Sequence, residues 1–286
     1  MSPTTVRVPA TSANLGPAFD SAAAALNLHL TLAVEAAEEF SLTANIDVPT
    51  DRSNLLVQAF ERVLPADGYA FNVDSRIPMC GGLGSSACAS LAGVLAAKAL
   101  GGAVSDPLAL AIEVDGVADN ATASYFGGVA VHVGGQVVRL DPPPGIGLLL
   151  VKPERYVNTS DAREALPSEV PMTDAVANAG YATLLGAGLA SGDPELLARG
   201  LHDNLHQQRR SELYPESWDL LGKASSLGAL GATISGAGSA VLVWVEASHR
   251  EDVKGRLVKA VESWAEVLPV SFEPNGATVN GEPVAL

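Results

Sequence analysis

The stretch RIPMCGGLGSSACASLAG, residues 76–93, decides the fold of this chain, because a cluster of glycines and serines runs directly into an alanine-rich apolar segment. Glycine permits positive φ and close approach of the backbone. Ser85 is placed to cap the following helix, and the free N–H groups and dipole of a helix N-terminus bind anions. No lysine follows the glycines, as it would in a Walker P-loop. The stretch predicts either a phosphate-binding loop at residues 82–86 or a plain strand-to-helix turn.

The composition is that of a globular protein. The chain has 286 residues, of which 48% are hydrophobic and 17% charged, which suits one large domain or two modest ones. Its net charge of −15 argues against nucleic acid or an anionic membrane as a partner, because both would repel it at long range. A bound phosphate would meet the same repulsion, so local donors and a divalent cation would have to dominate at short range.

Two patterns that the sequence lacks bear on the cellular compartment of the protein. No apolar run of about 18 residues is free of polar interruption, which argues against a membrane span. The first residues lack the basic segment and apolar core of a signal peptide, so we expect a cytoplasmic protein. Cys80 and Cys88 are the only cysteines, and we expect two buried thiols in a reducing compartment rather than a disulfide.

Hydrophobic periodicity predicts an α+β protein in two layered halves. The segment DPPPGIG at residues 141–147 is the strongest breaker, and it divides the chain into predicted domains at residues 1–143 and 144–286. A hairpin is predicted to turn at Gly134–Gly135. Helices are predicted at residues 85–100, 106–115, 171–188, 193–209, 216–227 and 248–265. His202 and His206 would share a face of the helix at 193–209, but no third zinc ligand is evident.

Two further stretches give the glycine loop its context. PATSANLGPAFD at residues 9–20 and GATISGAGSAV at residues 231–241 complete a set of three motifs in a fixed order. This order resembles the GHMP small-molecule kinases over most of the chain. The first motif, TSDAR at residues 159–163 and LHQQRR at residues 205–210 resemble the homoserine kinases within them. The resemblance implies an N-terminal domain like ribosomal protein S5 domain 2 and a ferredoxin-like C-terminal domain.

The resemblance also implies a nucleotide site for ATP, with Mg²⁺ as its companion. The triphosphate would lie at the helix N-terminus, and SNLLV resembles the segment that lines the adenine pocket. Mg²⁺ needs few protein ligands because it keeps several waters. The implied ATP-binding residues are Asn54, Pro78, Gly82, Leu83, Gly84, Ser85 and Ser86. The implied metal ligands are Ser86 with Glu113 or Asp115.

The implied reaction is phosphorylation of the hydroxyl of L-homoserine to O-phosphohomoserine, on the branch that leads to threonine. Arg163 and Arg210 would hold the acceptor carboxylate, for which the planar guanidinium suits. Arg209 beside Arg210 leaves the register of that assignment open. The remaining implied acceptor-site residues are Asn14 and Asp20 at the ammonium, Thr159 near it, Asn120 at the attacking hydroxyl, and Gly236. Of the site residues, Asn120, Asp20 and Arg163 are predicted to be catalytic, and Asp20 or Asp119 is a candidate proton acceptor.

The sequence departs from the resembled pattern at several positions. Val117 and Ala118 stand where the family places His and Pro, and Gly81 stands where an arginine is common. Ala18 replaces a glycine, and Asp115 replaces a glutamate. Two alternatives therefore stay open: a kinase for another small amino-acid alcohol or hydroxy acid, and a nucleotide- or metabolite-binding pseudokinase without catalysis. A homodimer is also open, since superfamily members are often dimers.

Overall fold

A computed structural model describes residues 3–78 and 81–284. The prediction for Cys80 lies outside these residues, whereas Cys88 is fully buried and its thiol contacts the carbonyl oxygen of Pro9 at 3.1 Å. The strands of the described chain are β1 (Thr4–Ala13), β2 (Ala22–Ala36), β3 (Ser41–Ala44), β4 (Tyr69–Ser75), β5 (Val129–Val133), β6 (Gln136–Leu140), β7 (Ile146–Pro153), β8 (Gly231–Ile234), β9 (Val241–Glu246), β10 (Ala265–Val270), β11 (Thr278–Val279) and β12 (Glu282–Pro283).

Helices connect the strands in both halves. They are α1 (Leu55–Glu61), α2 (Ser85–Ala99), α3 (Pro107–Asp115), α4 (Ala118–Phe126), α5 (Thr159–Glu164), α6 (Met172–Ser191), α7 (Pro194–Gly200), α8 (Pro215–Lys223) and α9 (Arg250–Val261). Short 3-10 helices cover Gln208–Leu213, Ala224–Leu227 and Ala247–His249. None of the helices within residues 3–78 and 81–284 combines the length and hydropathy that a membrane crossing needs.

The first sheet carries the N-terminal half. Its strands follow the order β12-β11-β1-β2-β4-β3, and the hairpin of β5 and β6 joins through β2. α2 is buried along most of its length and packs against β1, α1 and α3. Its many alanines allow this close packing, and a Cβ on Gly93 would collide with the backbone of α1 at Leu56. These contacts therefore hold α2, and the glycine loop that precedes it, firmly against the first sheet.

The second sheet has the strand order β10-β7-β9-β8 and buries both faces. Leu148 and Leu150 of β7 join the core shared with the first sheet, whereas Leu149 and Val151 pack in a second core with residues of α8 and α9. A strand that is buried on both faces appears in the sequence as an unbroken apolar run, as in the GLLLV of β7. The predicted α+β arrangement in two layered halves is confirmed.

The predicted boundary at residues 141–147 marks where the chain leaves the first sheet, but the C-terminal segment does not stay in the second half. Beyond β10 the chain returns to the first sheet, where Val279 of β11 pairs with Val6 of β1. Phe272 forms an isolated bridge with Leu26 on the way. Residues 271–284 thus lie with the first sheet although they fall in the predicted domain 144–286, and the division into 1–143 and 144–286 stays a prediction.

One predicted helix needs correction, and one helix of the structure has no counterpart among the predictions. The predicted helix at 193–209 ends at Gly200, because Asp203 accepts hydrogen bonds from the backbone N–H groups of residues 205–207 and stabilises a turn there. His202 and His206 consequently do not share a helix face. The helix α4 was not predicted, since its first turn contains Asp119 and Asn120 and its N-cap residue, Val117, makes no side-chain capping bond.

Candidate active site

A cavity of about 300 Å³ opens where the glycine loop, the N-terminus of α4 and the 3-10 helix that contains Arg210 converge. All three sequence motifs contribute to its wall. The lining residues are Ala13, Asn14, Phe19, Asp20, Pro78, Gly81, Gly82, Leu83, Gly84, Ser85, Ser86, Asp115, Val117, Asp119, Asn120, Tyr156, Thr159, Arg163, Arg210, Gly236 and Ala237. The cavity thus brings together every predicted site residue except Asn54 and Glu113.

The glycine loop presents its backbone to this cavity. Gly84 is the N-cap of α2 with φ of 65°, and no side chain caps the helix, so the expectation that Ser85 would be the cap is wrong. Ser85 is instead the first residue of the helix. A helix N-terminus without a side-chain cap leaves N–H donors for an anion, as the phosphate-binding prediction requires.

The third motif supports the loop from behind. The hydroxyl of Ser235 donates a hydrogen bond to the carbonyl oxygen of Gly82 at 2.6 Å. A Cβ on Gly82 would collide with the carbonyl oxygen of Ser235, so only glycine permits this approach. The loop is therefore fixed by contacts between residues more than a hundred positions apart in the sequence.

A second cavity of about 330 Å³ lies on the other side of Ser85 and Ser86, which line both cavities. Its wall is mainly apolar and includes Leu30, Ile46, Val48, Pro49, Leu56, Val73, Ile77 and Ala89. Asn54 lies here, as predicted for the adenine pocket, but its side chain caps α1 at the N–H of Leu56 and donates to the carbonyl oxygen of Pro49. The side-chain amide of Asn54 therefore holds the backbone of Pro49 and Leu56, two residues of the pocket wall, in place.

Asp115 at the end of α3 is a carboxylate that the structure brings to the glycine loop. The hydroxyl of Ser86 hydrogen-bonds to it, and burial raises its pKa. Two hard oxygen ligands thus meet in a place where added positive charge would be favourable, so these residues fit Mg²⁺. Glu113 does not reach the site: its side chain is 64% exposed and pairs with Arg62 at 2.8 Å. Glu113 thus faces solvent away from the cavity, whereas Asp115 and Ser86 line it and stay the predicted metal ligands.

The acceptor side of the cavity contains an ion pair between two predicted residues. Arg163 of α5 donates to both carboxylate oxygens of Asp20, at 2.8 and 3.1 Å. Asp20 has a positive φ of 52°, and so do Asn14 at 73° and Leu15 at 44°. Such conformations are costly outside glycine and concentrate at functional sites. The side chain of Asn14 stabilises this segment, since it accepts from the N–H of Asp20 and donates to the carbonyl oxygen of Gly236.

Arg210 is the buried cation of the cavity. The residue is 2% exposed, its Nε donates to the carbonyl oxygen of Ala162 at 2.6 Å, and its guanidinium lies 5.0 Å from the ring centre of Phe19. Within residues 3–78 and 81–284 no carboxylate forms a salt bridge with it. Burial lowers the pKa of Arg210. Arg209 pairs with Asp174 and does not line the cavity, so Arg210 is the one of these two adjacent arginines that lies at the predicted site.

His206 holds Arg210 in place, a role that the sequence did not reveal. Its Nε2–H donates to the carbonyl oxygen of Gly16 at 2.9 Å, so its Nδ1 is free to accept from Nη1 of Arg210 at 3.3 Å. The ring also stacks on Phe19. Burial lowers the pKa of His206, consistent with a neutral ring. The signal in the sequence was that His206 shares the LHQQRR motif with Arg210, a predicted site residue.

The N-terminus of α4 places Asn120 beside the glycine loop. Its Oδ1 accepts a hydrogen bond from the hydroxyl of Thr11 at 2.7 Å, and its Nδ2 donates to Asp119 Oδ1 at 3.2 Å. Asp119 is 2% exposed, and burial raises its pKa to about 6. Sequence reasoning missed Thr11, which lies inside the first motif but lines neither cavity.

The raised pKa of Asp119 predicts a pH effect on stability. The unfolded chain loses this proton near the ordinary value of 3.8 and the folded chain near 6, so ionisation favours unfolding as the pH rises through this window. We expect Asp119→Asn to gain about 1–3 kcal/mol in free energy of unfolding relative to the parent between pH 4 and pH 7. Urea unfolding at several pH values measures this difference.

The exposed Asp252 on α9 supplies the control for that measurement. The difference in free energy of unfolding between Asp252→Asn and the parent should not rise over this range. If the difference for Asp119→Asn is also independent of pH, burial does not perturb this carboxyl group.

Comparisons with known proteins agree with this geometry. Residues 54–128 match the family described as GHMP kinases N terminal domain, and residues 182–263 match GHMP kinases C terminal. A homoserine kinase of Gloeobacter violaceus is 38% identical over 97% of this chain and 99% of its own length. A homoserine kinase of Deinococcus radiodurans is 39% identical over 84% of this chain and 83% of its own length.

Solved structures extend the similarity to three dimensions. The crystal structure of a homoserine kinase from Cytophaga hutchinsonii superposes with a TM-score of 0.85, at 27% identity and 98% coverage of both chains. The mevalonate kinase of Methanococcus jannaschii superposes with a TM-score of 0.71 at 15% identity, covering 94% of this chain and 98% of its own, and shows a shared fold.

Proposed function

The chain belongs to the homoserine kinases of the GHMP kinase superfamily, and on this premise we propose that it transfers the γ-phosphoryl group of ATP to the side-chain hydroxyl of L-homoserine. The products would be O-phosphohomoserine and ADP, on the branch that leads to threonine. The enzyme would thus be an ATP-dependent small-molecule kinase with an alcohol acceptor. We further propose a cytoplasmic location, and a homodimer stays a prediction.

The guanidinium of Arg210 is the observation that carries this proposal, because its contacts within residues 3–78 and 81–284 include neutral hydrogen-bond partners but no carboxylate. A buried cation without a countercharge is unfavourable, and a carboxylate in the cavity would supply one through charge-assisted hydrogen bonds. Arg163 and Asp20 line the same cavity as an ion pair, so it offers both a cation and an anion. The carboxylate and ammonium of an amino acid match this arrangement of charges, whereas a neutral alcohol would leave it unused.

The donor side accommodates a nucleotide. The apolar cavity beside Asn54 is large enough for a purine, and its border at Ser85 and Ser86 leads directly to the N-terminus of α2. Backbone N–H groups there would bind the phosphates. Asp115 and Ser86 would hold Mg²⁺, which neutralises phosphate charge when bound. The protein's net charge of −15 makes such local compensation necessary.

Asn120 lies between the two sides and would orient the acceptor. In the transfer the hydroxyl oxygen forms a bond to the γ-phosphorus as the bond to the bridging oxygen of ADP breaks, and the hydroxyl proton leaves. Asn120 would hydrogen-bond this hydroxyl. Asp119 adjoins Asn120 and Asp20 lines the same cavity, so either remains a candidate proton acceptor. Positioning and charge neutralisation supply most of the catalysis in reactions of this class.

A screen of hydroxylated amino acids tests the proposal. The purified protein is given ATP, Mg²⁺ and each acceptor in turn, and ADP release is followed together with the phosphorylated product. We expect L-homoserine or a close analogue to be the best acceptor. ATP binding without turnover of any hydroxylated amino acid would favour the pseudokinase, and turnover confined to acceptors without an amino group would favour a hydroxy-acid kinase.

Val117 predicts a specificity feature of the acceptor pocket. It lines the cavity beside Asn120, and its side chain has no polar atom. An apolar wall favours carbon over a polar group. A homoserine analogue with one methyl group added near the hydroxyl should therefore match homoserine in kcat/KM or exceed it by roughly fourfold, given about 0.8 kcal/mol per buried CH₂.

Val117→Thr is the matched variant for this prediction, because it keeps the side-chain shape and adds a hydroxyl. It should lower the ratio of kcat/KM for the methylated analogue over homoserine. An unchanged ratio, or a strong preference of the parent for homoserine, would contradict the role of Val117.

A further inference from the structure

Thr11 makes the contact that fixes the amide orientation of Asn120. Its hydroxyl lies 2.7 Å from Asn120 Oδ1, and because an amide oxygen carries no proton, the hydroxyl must donate. At the other end Nδ2 faces a carboxylate oxygen of Asp119 at 3.2 Å. A flipped amide would place its oxygen against that carboxylate oxygen. The two contacts therefore favour one of the two amide orientations.

Thr11 also contacts the glycine loop. Its backbone N–H donates to the carbonyl oxygen of Leu83 at 3.1 Å. A Cβ built on Gly84 would collide with the hydroxyl of Thr11 and lie 2.9 Å from Asn120 Oδ1. The residue is fully buried in β1, a strand of the first sheet. One residue thus contacts both the element proposed to bind phosphate, through its backbone, and the residue proposed to orient the acceptor, through its hydroxyl.

We propose that Thr11 is a positioning residue for phosphoryl transfer, which acts by holding the side-chain amide of Asn120 in one orientation and in register with the glycine loop. The proposal rests on the proposed function. Thr11 touches neither substrate, since it lines neither cavity. Its effect should therefore fall on the rate of transfer and spare the binding of ATP and acceptor.

Thr11→Val tests this role because it removes the hydroxyl and keeps the shape. We expect kcat to fall about tenfold, with KM for ATP and for the acceptor within about twofold of the parent. Thr11→Ser restores the donor and should recover kcat to within about threefold. The acceptor used is whichever hydroxylated amino acid the parent enzyme turns over best, so failure of the proposed function shows in the parent alone.

Thr122→Val is the matched control. Thr122 is also fully buried, on α4, and its hydroxyl donates to the carbonyl oxygen of Ala118 without contacting Asn120. It should lose stability comparable to that of Thr11→Val and keep kcat. Equal losses of kcat in the two variants, or no loss in Thr11→Val, would overturn the proposal.

A double-mutant cycle gives the decisive measurement. If Thr11 acts through Asn120, adding Thr11→Val to Asn120→Ala should lower kcat no further. Independent, additive losses would show that Thr11 acts by another route and would overturn the proposal. Thr11→Ala replaces Thr11→Val in each comparison if the valine variant does not fold.

Discussion

Arg210→Leu should lower kcat/KM for L-homoserine by about 100-fold or more and leave KM for ATP within about twofold. Hydrogen bonds to charged groups contribute about 1.5–3 kcal/mol each, and a guanidinium fork makes two with a carboxylate. Leucine retains apolar contact with Phe19 and removes a buried charge, so the folded state should survive. Steady-state kinetics with each substrate varied in turn measure the effect.

Arg209→Leu is the adjacent control. Arg209 binds Asp174 and the backbone of Asn204 and does not line the cavity. Its substitution should change kcat/KM for homoserine by less than about threefold. Normal acceptor kinetics in Arg210→Leu would mean that the carboxylate is held elsewhere, and the amino-acid specificity would lose its main support.

Gly84→Ala should lower kcat/KM for ATP by about 100-fold or more. Gly84 has φ of 65°, and an added Cβ would meet the Thr11 hydroxyl and the Asn120 amide. The collision must displace the glycine loop, α4 or both. Because the loop would bind phosphates through its backbone, the donor and acceptor positions should suffer together.

Gly134→Ala separates this collision from backbone strain. Gly134 has a similar φ of 59° in the hairpin of β5 and β6, and no atom lies within 4 Å of its added Cβ. It should lose about 1–2 kcal/mol of stability from the left-handed conformation and keep normal kinetics. If both variants show the same kinetics, the position of the glycine loop does not depend on the contact with Thr11 and Asn120.

Local signals explain what could be predicted from the sequence. The glycine cluster, the alanine-rich helix after it and the hairpin at Gly134–Gly135 each lie within a short segment. The helix and the hairpin are confirmed, and phosphate binding at the glycine cluster stays a prediction. The family prediction rested on three separate motifs in a fixed order, which are far more specific than any one of them, and the family matches confirm it.

The errors share a physical cause, which is that they depend on contacts between distant segments. Glu113 and Asp115 are two positions apart on α3 and therefore point in different directions, but only the position of Ser86 shows which one faces the loop. Likewise the apolar periodicity after residue 193 does not reveal the turn that Asp203 stabilises. Thr11 was missed because its importance comes from Asn120, which lies over a hundred residues away.

The return of the C-terminal segment to β1 has a consequence for biosynthesis. β1 ends at Ala13 and β11 begins at Thr278, yet Asn280 exchanges hydrogen bonds with Thr5 across that edge. As the chain emerges from the ribosome, the first sheet must wait with this edge unpaired until almost all of the described residues have been made. The end of β1 that carries Val6 and Arg7 is therefore completed last, so a translation product truncated before β11 would leave this edge of the first sheet without its partner strand.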